Sequence, residues 1–304
     1  MLILVTGITG QVGGALVSRL KGLGTVVPAN REMLDFTRPD GLSLALERLA
    51  PNLIINPAAY TAVDRAENER DLAFRVNRDA PGEMARWAAD RNVPLIHFST
   101  DYVFDGSGER PWNERDTPRP LSVYGASKLA GEDEIRKTNG PSLIVRTSWV
   151  YSASGVNFLR TIARLAKERD EMRIVSDQIG APTSAFLVAD AIANIASHRV
   201  DDLRAKFAEA NGLVHLAASG EASWYDFASA IIAGLRSRAV SLAVKRVLPI
   251  RTDQYPTPAK RPYNSRLDLG RLKSIFGITP PRWDAALGVE LDQLVRSTVS
   301  EGPV

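Results

Sequence analysis

Residues 1–13 read MLILVTGITGQVG, and this stretch decides the fold. Met1 to Thr6 is a short apolar run with β-branched residues, as in a buried strand. Glycines follow at 7, 10 and 13. Beyond them Val12, Ala15, Leu16, Leu20 and Leu23 recur at helical spacing, which predicts a helix over 12–23. A strand, a tight turn and a helix N-terminus together make a site for an anion. Glycine is needed there because a β-carbon would block the turn, the approaching pyrophosphate or the helix–strand packing. A glycine triplet alone is an ordinary loop, but this one has the strand before it and the helix after it. Gly7, Gly10 and Gly13 are therefore predicted to hold a dinucleotide. Their spacing is G-x-x-G-x-x-G rather than G-x-G-x-x-G.

The same alternation continues outward. Strands are predicted over 24–29, 51–56 (PNLIIN), 94–99 (PLIHFS), 141–146 (PSLIVR) and 213–217 (LVHLA). Helices are predicted over 42–49, 71–91, 127–137, 157–169, 184–198, 224–235, 267–276 and 283–299. Short apolar strands alternating with amphipathic helices predict an α/β chain, a Rossmann-type doubly wound parallel sheet. The expected organisation is a nucleotide-binding domain over 1–150 and a smaller C-terminal substrate-binding lobe over 151–304, with segments near 184–217 returning to the large domain. Proline at 249, 256, 258 and 262 makes RTDQYPTPAKRPYNS (251–265) an expected extended loop.

Composition narrows the function. The 304 residues are 44% hydrophobic and carry a formal net charge of +3, with no basic arm or lysine block, which argues against nucleic acid as a partner. There is no cysteine, so disulfides, zinc thiolates and cysteine nucleophiles are excluded together. That fits a cytoplasmic protein. MLILVTG lacks a basic n-region, and no apolar run reaches the length of a membrane span, so neither a signal peptide nor a membrane protein is expected.

The second predicted strand ends near Arg31, which could meet the 2′-phosphate of NADP, while Asp35 in LDFT could accept from the adenine amino group. STDYVFDG (99–106) places Thr100 at the end of a central strand, where ligands of open α/β sheets bind. Tyr124 and Lys128 in YGASK are four apart and share a face if both open a helix. A carbonyl accepting hydride needs a proton. Tyrosine supplies one, a lysine ammonium is expected to draw its pKa down, and Thr100 adds a hydrogen bond that strengthens as charge grows on oxygen. The three histidines, at 97, 198 and 215, form no triad or metal motif, and His97 and His215 are expected as core or strand residues.

TGITGQVG, LDFT, NPAAYTAVDRAE, STDYVFDG, YGASK, RTSWVY, VSDQIGAPT and KRPYNSRLD together resemble the dTDP-4-dehydrorhamnose reductases, extended short-chain dehydrogenase/reductases, from residue 1 to about 295. The resemblance implies reduction of the C4 ketone of dTDP-4-dehydro-β-L-rhamnose to dTDP-L-rhamnose by NADPH, with NADH possible. It makes Tyr124 the proton donor, Lys128 its assistant and Thr100 the third member. It places Gln11 and Val12 with Gly10 on the pyrophosphate, Asp35 and Phe36 at the adenine, and Ala58, Ala59 and Tyr60 against the cofactor. Thr100, Asp101, Trp149, Asn157, Gln178 and Arg261 become sugar-nucleotide contacts. Arg261 also has a physical case of its own, since a diphosphate needs positive charge and Lys260 is adjacent.

Pro57 stands where alanine is commoner in that family, and a proline just past a strand leaves the site possible. Relatives that bind Mg²⁺ at a dimer interface direct attention to Glu290 and Asp292, and a monomer or homodimer is expected. The alternatives are a reductase or epimerase of another nucleotide sugar, or a non-catalytic NADP-binding regulatory subunit. A dehydratase is disfavoured, because Thr100 is followed by Asp101 and Tyr102 rather than an Asp-Glu pair.

Overall fold

The computed structural model describes residues 1–300, with side chains through 297; the last four residues of the expected lobe, 301–304, lie outside the described residues. Six strands form one wholly parallel sheet: β1 (Leu2–Val5), β2 (Thr25–Pro28), β3 (Leu53–Asn56), β4 (Leu95–Thr100), β5 (Ser142–Thr147) and β6 (Leu213–His215). Their order across the sheet is β6-β5-β4-β3-β1-β2. The chain leaves β1 in one direction toward β2 and returns on the other side of β1 with β3. That reversal opens a crevice at the carboxyl ends of β1 and β3, the place where doubly wound sheets bind ligands.

Strand periodicity sorts the core into two layers. Ile3, Val5, Leu53, Ile55, Ile96, Phe98, Leu143 and Val145 face one apolar cluster, joined by Leu16 of helix Gln11–Arg19, by Leu20 at its C-cap and by helix Ala185–Ala196. Leu4, Ile54, Leu95 and Ile144 face the other, under helices Leu42–Leu49 and Ala80–Asp90. The first cluster runs on without a break into Phe227, Trp283, Leu287 and Leu291. The C-terminal helices thus share the core of the sheet.

Several expected elements differ in detail. The 71–91 helix is interrupted by a π-turn at Arg75–Asp79. The helix expected from 127 begins at Val123, capped by Ser122 Oγ accepting from Gly125 N, so Tyr124 lies in its first turn. A parallel pair, Glu171–Val175 with Arg246–Ile250, and a helix over Val200–Glu209 were not anticipated. Among the described residues no helix is long and apolar enough to cross a membrane.

Candidate active site

A cavity of about 1120 Å³ opens at the carboxyl ends of β1, β3, β4 and β5. It brings together Gly7, Gly10, Gln11, Val12, Gly13, Arg31, Asp35, Phe36, Ala58, Ala59, Tyr60, Thr100, Asp101, Tyr124, Lys128 and Trp149. The volume exceeds the few hundred to about a thousand Å³ typical of drug-sized ligands, and suits a dinucleotide with a second substrate.

The glycine turn is shaped by contact. Gly7 has φ +58°, a left-handed conformation that side chains resist, and a β-carbon on it would lie 2.9 Å from the Ala58 backbone. A β-carbon on Gly13 would fall 2.2 Å from the Gly7 carbonyl oxygen. Bare backbone therefore lines the cavity where the helix Gln11–Arg19 begins, a cradle that fits a pyrophosphate. At the far side of the turn Arg31 pairs with Asp35 (3.4 Å) and is three-quarters exposed, free to meet an added phosphate. Asp35 is held below the usual carboxylate range chiefly by the hydroxyl and N–H of Thr37, which donate to it.

Pro57 follows the last residue of β3 and lines the cavity without costing the ladder a donor. Tyr60, three residues on, is clamped by Asn77: its N–H donates to Asn77 Oδ1 (2.8 Å), and Asn77 Nδ2 donates to its carbonyl (3.0 Å) and to Ser127 Oγ (2.9 Å). Asn77 sits in the π-turn, and so ties the cofactor side of the cavity to the helix carrying Tyr124 and Lys128.

Thr100 ends β4, where its hydroxyl donates to Asp101 Oδ1 (3.1 Å) and accepts from Tyr102 N (3.2 Å). Asp101 is buried, and burial pushes its carboxyl up to about 6. Tyr102 meets the Tyr124 ring edge-on, with centroids 5.6 Å apart. Burial of the Tyr124 hydroxyl pushes its pKa up to about 12, partly offset by the Thr100 hydroxyl. Burial also pulls Lys128 down to about 8, against the carboxylate of Glu132.

One expectation needs correction here. The lysine was expected to draw the tyrosine pKa down, yet its Nζ donates to the Phe98 carbonyl (2.6 Å) and meets His97 Nε2 (3.1 Å). Desolvation of the phenol dominates, and Tyr124 holds its proton.

Asn157, Gln178 and Arg261 do not line the cavity. Asn157 caps the helix Phe158–Glu168 and donates to the Ser152 and Ser154 carbonyls. Gln178 Oε1 accepts from Trp224 Nε1 (3.1 Å), and Trp224 stacks on Trp149 with centroids 3.6 Å apart. Trp149 has φ +48°, a strained backbone for a bulky residue, of the kind that clusters at functional sites. Arg261 donates to Asp64 Oδ2 (2.8 Å), an acid 197 residues away in sequence.

Glu290 and Asp292, considered above for a metal, have other partners. Glu290 is buried and accepts from Ala153 N (2.6 Å), and Asp292 pairs with Arg238 (2.7 Å). No cluster of three or more His, Asp or Glu among the described residues could hold an ion.

The sequence reading missed Asn77, Trp224, Thr147 and Ser148. Thr147 Oγ1 and Ser148 Oγ are buried in the cavity wall with no partner, as is Asp101 Oδ2. Such orphaned polar atoms fit a site that receives a polar ligand. RTSWVY carried the signal for Thr147 and Ser148, since they end and directly follow a central strand.

A family model described as the RmlD substrate binding domain matches residues 1–296. The chain belongs to the RmlD family. It is 47% identical over 293 residues to a dTDP-4-dehydrorhamnose reductase of Burkholderia thailandensis, covering 95% of this chain and 97% of that protein. The crystal structure of a dTDP-4-dehydrorhamnose reductase of Clostridium acetobutylicum superposes with a TM-score of 0.87 at 36% identity, covering 97% of this chain and 100% of that one. The reductase of Bacillus anthracis, solved in complex with NADP, gives 0.85 at 32% identity, covering 96% and 99%. The RmlD chains thus share the Rossmann-type sheet and the whole length of this protein.

Proposed function

We propose that this chain reduces the C4 ketone of dTDP-4-dehydro-β-L-rhamnose to dTDP-L-rhamnose with NADPH, accepting NADH less well. What carries the reading is that one cavity holds both the glycine turn of β1 and the group Thr100, Tyr124 and Lys128. The names of the relatives above and the NADP complex of one of them support the substrate and cofactor.

NADPH, when bound, supplies the hydride. Tyr124, protonated at neutral pH, donates its phenolic proton to the substrate oxygen as negative charge develops there. The Thr100 hydroxyl stabilises that oxygen by turning its donor from Asp101. Lys128, charged below about pH 8, directs a donor into the cavity and stabilises the tyrosinate left behind. Trp149, backed by Trp224, walls the sugar side. Asn157 and Gln178 act on the sugar nucleotide through the loop and the tryptophan they hold, and Arg261 reaches a diphosphate by exchanging Asp64 for it.

The test is loss of NADPH absorbance with enzymatically made dTDP-4-dehydro-β-L-rhamnose, and product identification by mass and sugar NMR. Formation of dTDP-L-rhamnose is expected. NADPH binding without turnover of any nucleotide sugar would hand the reading to the non-catalytic alternative. For the cofactor, Arg31→Ala is expected to raise the KM for NADPH by about tenfold or more, the worth of a hydrogen bond to a charged group. The KM for NADH should hardly move. An equal change for both cofactors would remove Arg31 from the 2′-phosphate.

A further inference from the structure

Behind Lys128 lies a chain of buried polar groups that no step above uses. Lys128 Nζ meets His97 Nε2 at 3.1 Å. His97 Nδ1 meets Asn56 Nδ2 at 3.0 Å, and Asn56 Oδ1 accepts from Thr6 Oγ1 at 2.6 Å. Thr6 Oγ1 in turn accepts from Ala58 N at 3.3 Å and lines the cofactor cavity. All four side chains are at most 2% exposed. Lys128 comes from the helix Val123–Lys137, while His97 lies within β4, Asn56 ends the neighbouring strand β3 and Thr6 directly follows β1, with Asn56 and His97 opposite each other in register.

We propose that His97 is a positioning residue for Lys128, and that its tautomer, relayed through Asn56 to Thr6, is coupled to whether the lysine carries its proton. The proposal deepens the reductase reading and rests on Lys128, as the ammonium, donating to the ribose of the nicotinamide cofactor.

The argument is donor counting. Burial, and then the charge of Lys128, hold the His97 pKa well below its ordinary value, so the ring is neutral and has one N–H. If Asn56 Nδ2 donates to Nδ1, the ring proton is on Nε2 and points at Nζ. An ammonium has no lone pair to accept it, so this arrangement requires a neutral amine. With the ammonium, Nε2 must accept and Nδ1–H must donate. Asn56 then turns its amide by half a rotation, which changes neither shape nor packing, and offers oxygen to His97 and NH₂ to Thr6. The Thr6 hydroxyl, now accepting twice, turns its proton toward the cavity. The two arrangements differ by one proton on Lys128, which leaves to solvent.

The other titratable groups near Lys128 are accounted for. Glu132, one turn along its helix, favours the ammonium but is bonded to Arg146, Arg136 and Ser99. Tyr124, one turn back, keeps its proton, and Asp101 acts on Tyr124. Among the groups that shift His97, only Lys128 is charged.

The test uses the full chain and needs cofactor binding only. Side-chain ¹⁵N NMR of wild type with NADPH, feasible with three histidines, is expected to show His97 as the Nδ1–H tautomer at neutral pH. It should convert to Nε2–H through the same pH range in which NADPH affinity falls. His97→Phe removes the acceptor and should move that alkaline limb down by about one pH unit. His97→Gln, whose Oε1 replaces Nε2, should restore it. A single unchanging tautomer from about pH 6 to about pH 10, or a limb unmoved in His97→Phe, would overturn the proposal. If His97→Phe does not fold, the wild-type tautomer decides alone. A wild type that shows the switch yet reduces no sugar would defeat the substrate reading and leave this one standing.

Discussion

Tyr124→Phe is expected to lower kcat by roughly 10²–10⁴-fold, the usual worth of a positioned general acid. NADPH affinity should stay nearly as in wild type, because the hydroxyl acts in the transition state rather than on the bound cofactor. The environment gives the reason. Burial pushes the phenol up to about 12, so it is fully protonated at the pH of the reaction. It releases the proton only to an oxygen that has become strongly basic. The reverse oxidation needs the phenolate and should therefore speed up with rising pH. Steady-state kinetics in both directions with fluorescence titration of NADPH checks this. Wild-type turnover in the variant would mean that another group supplies the proton.

The second large effect concerns stability. Glu132 is wholly buried on the helix of Tyr124 and Lys128. It accepts from Arg146 Nε (2.8 Å) and Nη2 (2.6 Å), from Arg136 (2.8 Å) and from Ser99 (2.6 Å). Arg146 is itself only 1% exposed and lies over the Phe104 ring. Glu132→Ala would leave that guanidinium buried without its counter-charge, at a cost of about 3–5 kcal/mol. A fall in Tm of roughly 5–15 °C should follow. Thermal unfolding of the two proteins measures it, and a change under about 1 kcal/mol would show that the arginine finds water or another partner.

The pH dependence has a definite sign. Burial alone would raise the Glu132 pKa, but Arg146, Arg136 and Ser99 outweigh it and hold the carboxyl below its ordinary 4.5. The stability it contributes is therefore complete above 4.5 and is lost as pH falls toward the lower folded value. Glu132→Gln should lack that acid limb.

These sites differ in how far the sequence foretold them. MLILVTG and the alternation of Ile3, Leu4 and Val5 fix a strand buried on both faces, because side-chain direction follows from the backbone alone. The spacing of Tyr124 and Lys128 is local for the same reason. The partners of Lys128 are not local, since His97 and Phe98 come from a strand some thirty residues earlier. Reading His97 as a core residue described its burial and missed its bond. Arg261 stood beside Lys260 as a free cation until folding brought Asp64 to it. The π-turn that aims Asn77 left no mark in the apolar periodicity of 71–91. One extra residue in a helical turn disturbs the pattern less than the natural scatter of apolar positions does.

The Trp149–Trp224 pair has a consequence in spectroscopy. The two indoles are 3.6 Å apart and within 9° of parallel, and both line the cavity. Electronic transitions of chromophores this close mix, and a chiral arrangement of the two gives paired bands of opposite sign in ultraviolet circular dichroism. The chain has five tryptophans, and no other two stack among the described residues. A sugar packed on Trp149, as proposed above, is expected to change the overlap of the rings, so occupancy of the substrate side should be readable in the optical activity of the unlabelled protein.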